Sequence, residues 1–249
     1  MDFVSINKNA GIVNLVLSRG KVNAINEQVV EEVHSSLVDF ESDPDTKAIV
    51  MTGRGKFFSF GFDIPEFLSY SRGKFTNFLT HFTNLYTYIF LYPKPIIAVL
   101  NGHTIAGGCM LALACDRRIM VLERAKISLN EIGFGASVFA GSTEILRFCV
   151  GNKNATDILY SGAMYTAEQA KALGMIDKVA PENELIREAT KEASDLSEKP
   201  AAAFTSIKLL LRKSIAEGMR LKEKDSINEF VEIWYSNTTW ENLKNIKIY

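Results

Sequence analysis

The sequence predicts an α/β fold that is followed by a helical C-terminal region. Until about residue 142, short apolar segments rich in β-branched residues alternate with helix-compatible ones. This alternation is typical of parallel strands joined by helices. Beyond it, one helical segment follows another. The 249 residues, 47% of them hydrophobic, suffice for one large core or for one core with a small appendage.

Four short apolar segments have the composition of buried strands. They are residues 11–18 (GIVNLVLS), 47–53 (KAIVMTG), 95–102 (PIIAVLNG) and 117–123 (RRIMVLE). Helical segments separate them. Asn26 is the predicted N-cap of a helix that ends near Asp43 and Pro44. A long amphipathic helix follows over about 74–91, and residues 106–116 (AGGCMLALACD) form a short apolar helix.

The second half of the chain is predicted to be helical apart from one short strand, residues 175–180 (MIDKVA). The predicted helices cover residues 152–162, 166–174, 182–199, 201–218 and 219–247. The last segment carries Ile227, Phe230, Ile233, Trp234 and Trp240, which are many apolar side chains for a terminal helix. Such a helix needs a partner surface, either its own core or another subunit.

The composition excludes several classes of function. Lys and Arg number 28 and Asp and Glu 29, so the net charge is −1, and we expect no nucleic-acid partner and no membrane partner. No apolar run reaches the roughly 20 residues of a membrane span. Neither terminus resembles a targeting signal, so we expect a cytoplasmic protein. Cys109, Cys115 and Cys149 have apolar neighbours and form no CxxC pair, which predicts buried thiols rather than a zinc site.

Two glycine-containing segments follow predicted strands, where ligands bind in open α/β sheets. The first glycine loop is residues 55–64 (GKFFSFGFDI), and the second is residues 101–113 (NGHTIAGGCMLAL). Gly107 and Gly108 open a helix whose first amides have no internal partner and attract a negative oxygen. Gly61 allows a tight turn that aims the amide of Phe62. Together the loops predict an oxyanion hole, although each alone is also compatible with close packing or an ordinary turn.

The order and spacing of these motifs resemble the enoyl-CoA hydratase/isomerase family, the crotonases. FFSFGFD is followed about thirty residues later by PKPIIAVLNGHTIAGGCMLALACDRRI, and VNAIN and ALGMIDKVAPENEL extend the resemblance over nearly the whole chain. The resemblance implies a spiral of ββα turns, expected over residues 1–195. It also implies a C-terminal helical oligomerisation region over 196–249, and a homotrimer or a dimer of trimers.

The resemblance further implies an acyl-CoA thioester as substrate, with coenzyme A as part of that substrate and with no separate cofactor and no metal. The amides of Phe62 and Gly107 would hold the thioester oxygen. Coenzyme A would pass a turn that contains Lys21, Val22 and Ala24. It would also contact the backbone around Phe60, Asp63 and Ile64. The Asp63 carboxylate itself is interpreted as a turn or cap residue.

The acids near this site decide the predicted reaction. Hydratases of the family carry two glutamates, and the corresponding positions here are Met110 and Glu131. Glu131 is a lone carboxylate in an apolar stretch (ISLNEIGFGAS), where burial would raise its pKa and make it a stronger base once ionised. One acid suits a proton shuttle, and the motifs resemble those of monofunctional Δ3,Δ2-enoyl-CoA isomerases. Met110, Val138 and Phe139 are predicted to shape the acyl pocket.

Three alternatives stay open from the sequence. The protein could hydrate 2-enoyl-CoA with Glu131 alone, or bind acyl-CoA without catalysis. Glu131 could also be a structural carboxylate that pairs with arginine or caps a helix. Lys208, Arg212 and Lys213 form a basic helix face that is either solvated or in contact with the phosphates of coenzyme A.

Overall fold

Two β-sheets form the centre of the computed structural model, which describes residues 1–246. The larger sheet has six strands in the order β1-β2-β3-β5-β7-β9, and the smaller has three in the order β4-β6-β8. The strands are β1 Val4–Asn9, β2 Ile12–Leu17, β3 Ala48–Gly53, β4 Phe57–Ser59, β5 Ile96–Leu100, β6 His103–Ile105, β7 Arg117–Val121, β8 Ile127–Ser128 and β9 Lys178–Ala180.

The helices connect these strands and then cover them. They are α1 Glu27–Ser42, α2 Ile64–Phe67, α3 Arg72–Leu91, α4 Gly107–Ala114, α5 Ala140–Ser161, α6 Ala167–Leu173, α7 Leu185–Ser197, α8 Ala201–Trp234 and α9 Asn237–Lys244. Asn26 caps α1 as predicted, because its side chain accepts a hydrogen bond from the Val29 amide at 3.1 Å. The apolar segment 106–116 forms α4, and all eight of its residues are buried.

The predicted parallel α/β sheet is confirmed. Strands β2, β3, β5, β7 and β9 pair in parallel, and only the β1–β2 pair of this sheet is antiparallel. The three successive turns that begin at β3, β5 and β7 each contribute one strand to the large sheet, the next strand to the small sheet and then a helical segment. In the first turn, β1 and β2 both belong to the large sheet. This repetition produces the expected ββα spiral.

The strands of the small sheet were not predicted. They have only two or three residues each, too few to display an alternating pattern of burial. The structure also adds β1, extends the predicted helix 152–162 back to Ala140, and joins 201–218 and the start of 219–247 into one helix, α8. Within α5 the backbone leaves helical geometry at Gly151, where φ is +74°.

Helix α8 buries the apolar side chains near its C-terminal end against its own chain. Phe230 and Trp234 pack on Phe75 of α3, with ring centroids 6.2 and 4.7 Å apart. Of the two partner surfaces that the sequence allowed, these side chains therefore use the protein's own core. The expected boundary between residues 195 and 196 falls within α7. Residues 247–249 of the expected oligomerisation region lie outside the described residues, and its role in assembly stays a prediction.

Two residues of the basic face predicted on α8, Lys208 and Arg212, are neither solvated nor available to a phosphate, so both interpretations of these two residues were wrong. Both side chains are buried and share Asp116, with Lys208 Nζ 2.8 Å and Arg212 Nη2 3.3 Å from its carboxylate oxygens. Burial lowers the pKa of Lys208, and the neighbouring carboxylate opposes that effect. Lys213 is exposed as expected.

Two buried arginines, Arg212 and Arg118, bind the carbonyl groups at the carboxyl end of α4. Arg212 Nη1 donates to the carbonyl oxygen of Ala114 at 3.3 Å, and Arg118 Nη1 donates to that of Cys115 at 2.9 Å. Positive charge at the carboxyl end of a helix complements its dipole. The last carbonyls of a fully buried helix thus obtain the partners that water cannot supply.

The structure also bears on the predictions about the cysteines, membrane-spanning helices and metal sites. Cys109 and Cys115 are fully buried, Cys149 is half-buried, and all three are free thiols. Over residues 1–246, no helix combines the length and the apolar character that a membrane crossing requires. In the same part of the chain, no group of three His, Cys, Asp or Glu side chains is arranged to hold a metal ion.

Candidate active site

The candidate site lies at the carboxyl end of the small parallel sheet. Strand β4 leads into Gly61 and Phe62, β6 leads into Ala106 and Gly107, and β8 leads into Glu131. Because β4 pairs with β6 and β6 with β8, all in parallel, the three segments emerge at one edge. Strand ends of this kind are where α/β proteins bind ligands.

The two glycine loops touch each other. Gly61 has φ of +96°, and a Cβ built on it would lie 2.9 Å from the Ile105 oxygen and 3.1 Å from the Gly107 nitrogen. Only glycine therefore fits this position without displacing the backbone of the second loop. The side chain of Phe62 packs over Gly107, since a Cβ on Gly107 would be 3.0 Å from its Cε1 atom.

Neither predicted donor amide is occupied within the protein. In residues 1–246, the backbone N–H groups of Phe62 and Gly107 find no hydrogen-bond acceptor. Gly107 is the first residue of α4, and its N-cap, Ala106, has φ of +49°. A non-glycine residue rarely adopts a positive φ, and such backbone strain is common where a site needs a fixed geometry. The arrangement can accept an oxygen that carries negative charge.

A pocket of about 420 Å³ opens beside these loops, within the size range of small-molecule sites. The predicted site residues that line it are Phe60, Phe62, Ile64, Met110, Glu131 and Phe139. Glu131 is the only ionisable side chain among the described residues of this lining. The pocket is therefore a largely apolar space with one acid and one amide side chain, that of Asn130.

Glu131 is a buried carboxylate without a partner. Its side chain is 4% exposed, and neither oxygen has a hydrogen-bond donor within residues 1–246. Burial raises its pKa from 4.5 to about 8. An arginine pair or a helix cap, which the sequence left open, would have supplied such a donor. The geometry instead provides a strong, desolvated base at the wall of a pocket.

The turn that carries Glu131 is fixed from outside the pocket. Residues Glu131–Phe134 form a short 3₁₀ helix that Gly135 ends in a left-handed conformation, with φ of +88°. Helix α9 holds this turn, because Thr239 Oγ1 donates to the Gly135 oxygen at 2.7 Å and Asn242 Nδ2 donates to the Phe134 oxygen at 3.2 Å. The C-terminal region thereby helps to orient the acid.

Five residues that were predicted to bind substrate or to shape the acyl pocket lie outside the pocket lining. They are Lys21, Val22, Ala24, Asp63 and Val138. The turn that contains the first three adjoins the first glycine loop, since the Val22 oxygen accepts from the Phe60 amide at 2.9 Å. Asp63 caps α2 and pairs with Arg19, as its interpretation as a cap carboxylate predicted. The contacts of these residues with coenzyme A stay predictions.

Several pocket residues were not predicted. They are Ile105, Ala106, Asn130, Gly133, Phe134, Gly162, Met164, Phe230, Trp234 and Ile246. Phe230 and Trp234 did attract notice as unexpected apolar residues of the tail, but nothing local indicates that the tail returns to the pocket. Asn130 directly precedes Glu131, and its buried Oδ1 atom has no donor among the described residues.

Comparison with known proteins identifies relatives of the whole fold. The sequence model described as Enoyl-CoA hydratase/isomerase matches residues 7–237. A mitochondrial enoyl-CoA hydratase of Pongo abelii is 34% identical over 224 residues, which are 87% of this chain and 76% of that protein.

Solved structures of the same fold include enzymes with two different names. Human mitochondrial Δ3-Δ2-enoyl-CoA isomerase has a TM-score of 0.93 at 23% identity, covering 97% of this chain and 95% of that one. An enoyl-CoA hydratase from Bacillus halodurans has a TM-score of 0.90 at 23% identity, covering 98% and 100%. At this identity the structural similarity establishes the fold alone.

Replacement of Gly61 by alanine tests the contact between the glycine loops. We expect Gly61→Ala to lower the free energy of unfolding by about 1–3 kcal/mol, because a strained φ and a backbone clash act together. Gly55→Ala is the matched control, since Gly55 has φ of +80° but nothing within 4 Å of an added Cβ. Urea unfolding of both variants measures the difference. Equal losses would show that the loops are not in steric contact.

Proposed function

Because this chain belongs to the enoyl-CoA hydratase/isomerase family, we propose that it moves the double bond of a 3-enoyl-CoA to give trans-2-enoyl-CoA. Glu131 acts as the one proton carrier, and the amides of Phe62 and Gly107 stabilise the charge on the thioester oxygen. The observation that carries this proposal is a carboxylate that has no partner within residues 1–246 and that lies in a largely apolar pocket.

The proposed reaction needs neither water nor an external oxidant. The Glu131 carboxylate takes a proton from C2 of the bound thioester, and the electron pair passes into the carbonyl to form a dienolate. The two amides hold the oxygen on which this charge develops. Protonated Glu131 then returns the proton at C4, so that the double bond lies between C2 and C3 and the carboxylate is regenerated.

The pocket lining supports proton transfer over hydration. Adding water to a 2-enoyl thioester calls for groups that bind and orient that water, and family hydratases resemble one another in using two glutamates. Here the first of these positions is Met110, a buried thioether that neither gives nor takes a proton. The names of the sequence relatives favour the alternative, a hydratase. In that case Glu131 would have to catalyse hydration without a second acid.

The proposal includes an oligomeric state and a cellular location. Helix α8 exposes the apolar side chains of Ile207, Leu210, Leu211 and Leu221 on the surface of the single chain. Apolar side chains grouped on one exposed helix are a reasonable contact surface for copies of the same protein, which supports the homotrimer or pair of trimers. We retain the cytoplasm as the proposed location.

Loss of the carboxylate is the first test of the mechanism. We expect Glu131→Gln to abolish isomerisation of 3-hexenoyl-CoA, because an amide cannot carry the proton, while fold and affinity for coenzyme A thioesters persist. The assay follows the absorbance of the conjugated thioester, with the affinity for a saturated acyl-CoA as control. Near-normal turnover in the variant would remove Glu131 from the reaction.

The same assay separates the three functional classes in the wild-type protein. Rising absorbance with 3-hexenoyl-CoA and none lost with 2-hexenoyl-CoA supports the isomerase. Loss of absorbance with 2-hexenoyl-CoA supports a hydratase, and no change with either substrate supports a non-catalytic acyl-CoA-binding protein.

The raised pKa of Glu131 predicts the pH dependence of the reaction. Only ionised Glu131 removes a proton, and its pKa in the free protein is about 8. We therefore expect kcat/KM to rise about tenfold per pH unit below 8 and to level off above it. Measurement of kcat/KM between pH 5.5 and 9.5 tests this, and a profile already level at pH 6 would contradict it.

Introduction of a second acid tests the role assigned to Met110. We expect Met110→Glu to add measurable hydration of 2-hexenoyl-CoA, because a second carboxylate at this buried position can orient water together with Glu131. Met164→Glu, at an exposed pocket residue, is the control and should add none. Absence of hydration in Met110→Glu, with a fold intact by circular dichroism, would show that water does not reach that position productively.

A further inference from the structure

The indole N–H of Trp234 has no acceptor within residues 1–246, although the side chain is only 1% exposed. Buried tryptophans usually donate this hydrogen bond, because leaving the group unpaired away from water is costly. Trp234 borders the same pocket as Glu131. An unpaired donor beside a ligand pocket suggests that the missing acceptor belongs to the ligand.

The surroundings of Trp234 supply no substitute. Its ring packs at 4.7 Å from the ring of Phe75 and at 5.6 Å from that of Phe230, and both neighbours are purely apolar. An unsubstituted hydrocarbon chain in the pocket would add more apolar surface and leave the N–H group unpaired. An oxygen on the acyl chain would satisfy it.

The position of Trp234 indicates where that oxygen would lie. Phe62, whose amide belongs to the oxyanion hole, is connected to Trp234 through two intervening rings. The ring centroids of Phe62 and Phe139 are 6.4 Å apart, those of Phe139 and Phe230 are 4.6 Å apart, and Phe230 contacts Trp234. The rings of Phe62 and Trp234 thus lie at two ends of a row of aromatic contacts and do not pair with each other directly.

We propose that Trp234 Nε1–H donates a hydrogen bond to a keto or hydroxyl oxygen carried by the acyl chain, beyond the carbons that react. The preferred ligands are thus oxygenated acyl-CoA thioesters. This inference rests on the acyl-CoA site of the proposed function, but it does not depend on catalysis by Glu131. A site built to donate a hydrogen bond discriminates against the analogue that lacks the acceptor.

The first experiment uses the wild-type protein and saturated ligands. Dissociation constants are measured by calorimetry for one straight-chain acyl-CoA and for ketoacyl-CoAs of equal length, with the ketone moved stepwise from C5 towards the chain end. We expect one ketone position to bind about tenfold more tightly than the plain chain. If every ketoacyl-CoA binds no better than the plain chain, the proposal is wrong.

The second experiment removes the donor and keeps an aromatic side chain. Trp234→Phe should abolish the preference for that ketone position, so that the ketoacyl-CoA and the plain acyl-CoA bind this variant with equal dissociation constants. Trp240→Phe is the matched control, because Trp240 stacks on Tyr235 with centroids 5.0 Å apart and does not line the pocket. A preference that persists in Trp234→Phe would overturn the assignment.

Failure of this inference is distinguishable from failure of the proposed function. Saturated thioesters have no double bond to move, so their affinities are independent of isomerase activity. A ketone preference without isomerisation would leave the role of Trp234 intact and refute the isomerase. Isomerisation without a ketone preference would refute the role of Trp234 alone.

Discussion

The backbone groups at the two ends of helix α4 differ in their hydrogen-bond partners, and the candidate site depends on that difference. The helix is buried along its whole length, so its terminal hydrogen-bonding groups need partners other than water. At the carboxyl end, the buried guanidinium groups of Arg118 and Arg212 bind the last carbonyls. At the amino end, the Gly107 amide has no acceptor among the described residues. One end is completed by the fold, and the other is left for a negative oxygen of a ligand.

Local patterns predicted those features whose cause is local. A capping side chain at Asn26, the apolar run of α4 and the glycine at position 61 each act over a few residues, so the sequence indicates them directly. Glu131 was recognisable because a single carboxylate in an apolar stretch is unusual. The resemblance to a family added what local patterns lack, namely which of these segments come together.

The features that the sequence did not predict depend on distant partners. Asp116 and Lys208 are 92 residues apart, and without that contact a lysine on a helix face is expected to be solvated. Strand β8 has two residues and exists only because β6 lies beside it. The place of Trp234 in the pocket likewise requires α8 to fold back over α3. Pairing between remote segments is the information that periodicity and composition do not contain.

The burial of Glu131 couples protonation to stability. Between pH 4.5 and about 8, the folded protein retains a proton at this carboxylate that the unfolded chain releases. Unfolding in this range therefore expels a proton, and the free energy of unfolding falls as the pH rises. Alkaline conditions that ionise the base also weaken the fold around it. Selection of variants for heat resistance alone, at alkaline pH, would consequently favour the loss of an acid at position 131.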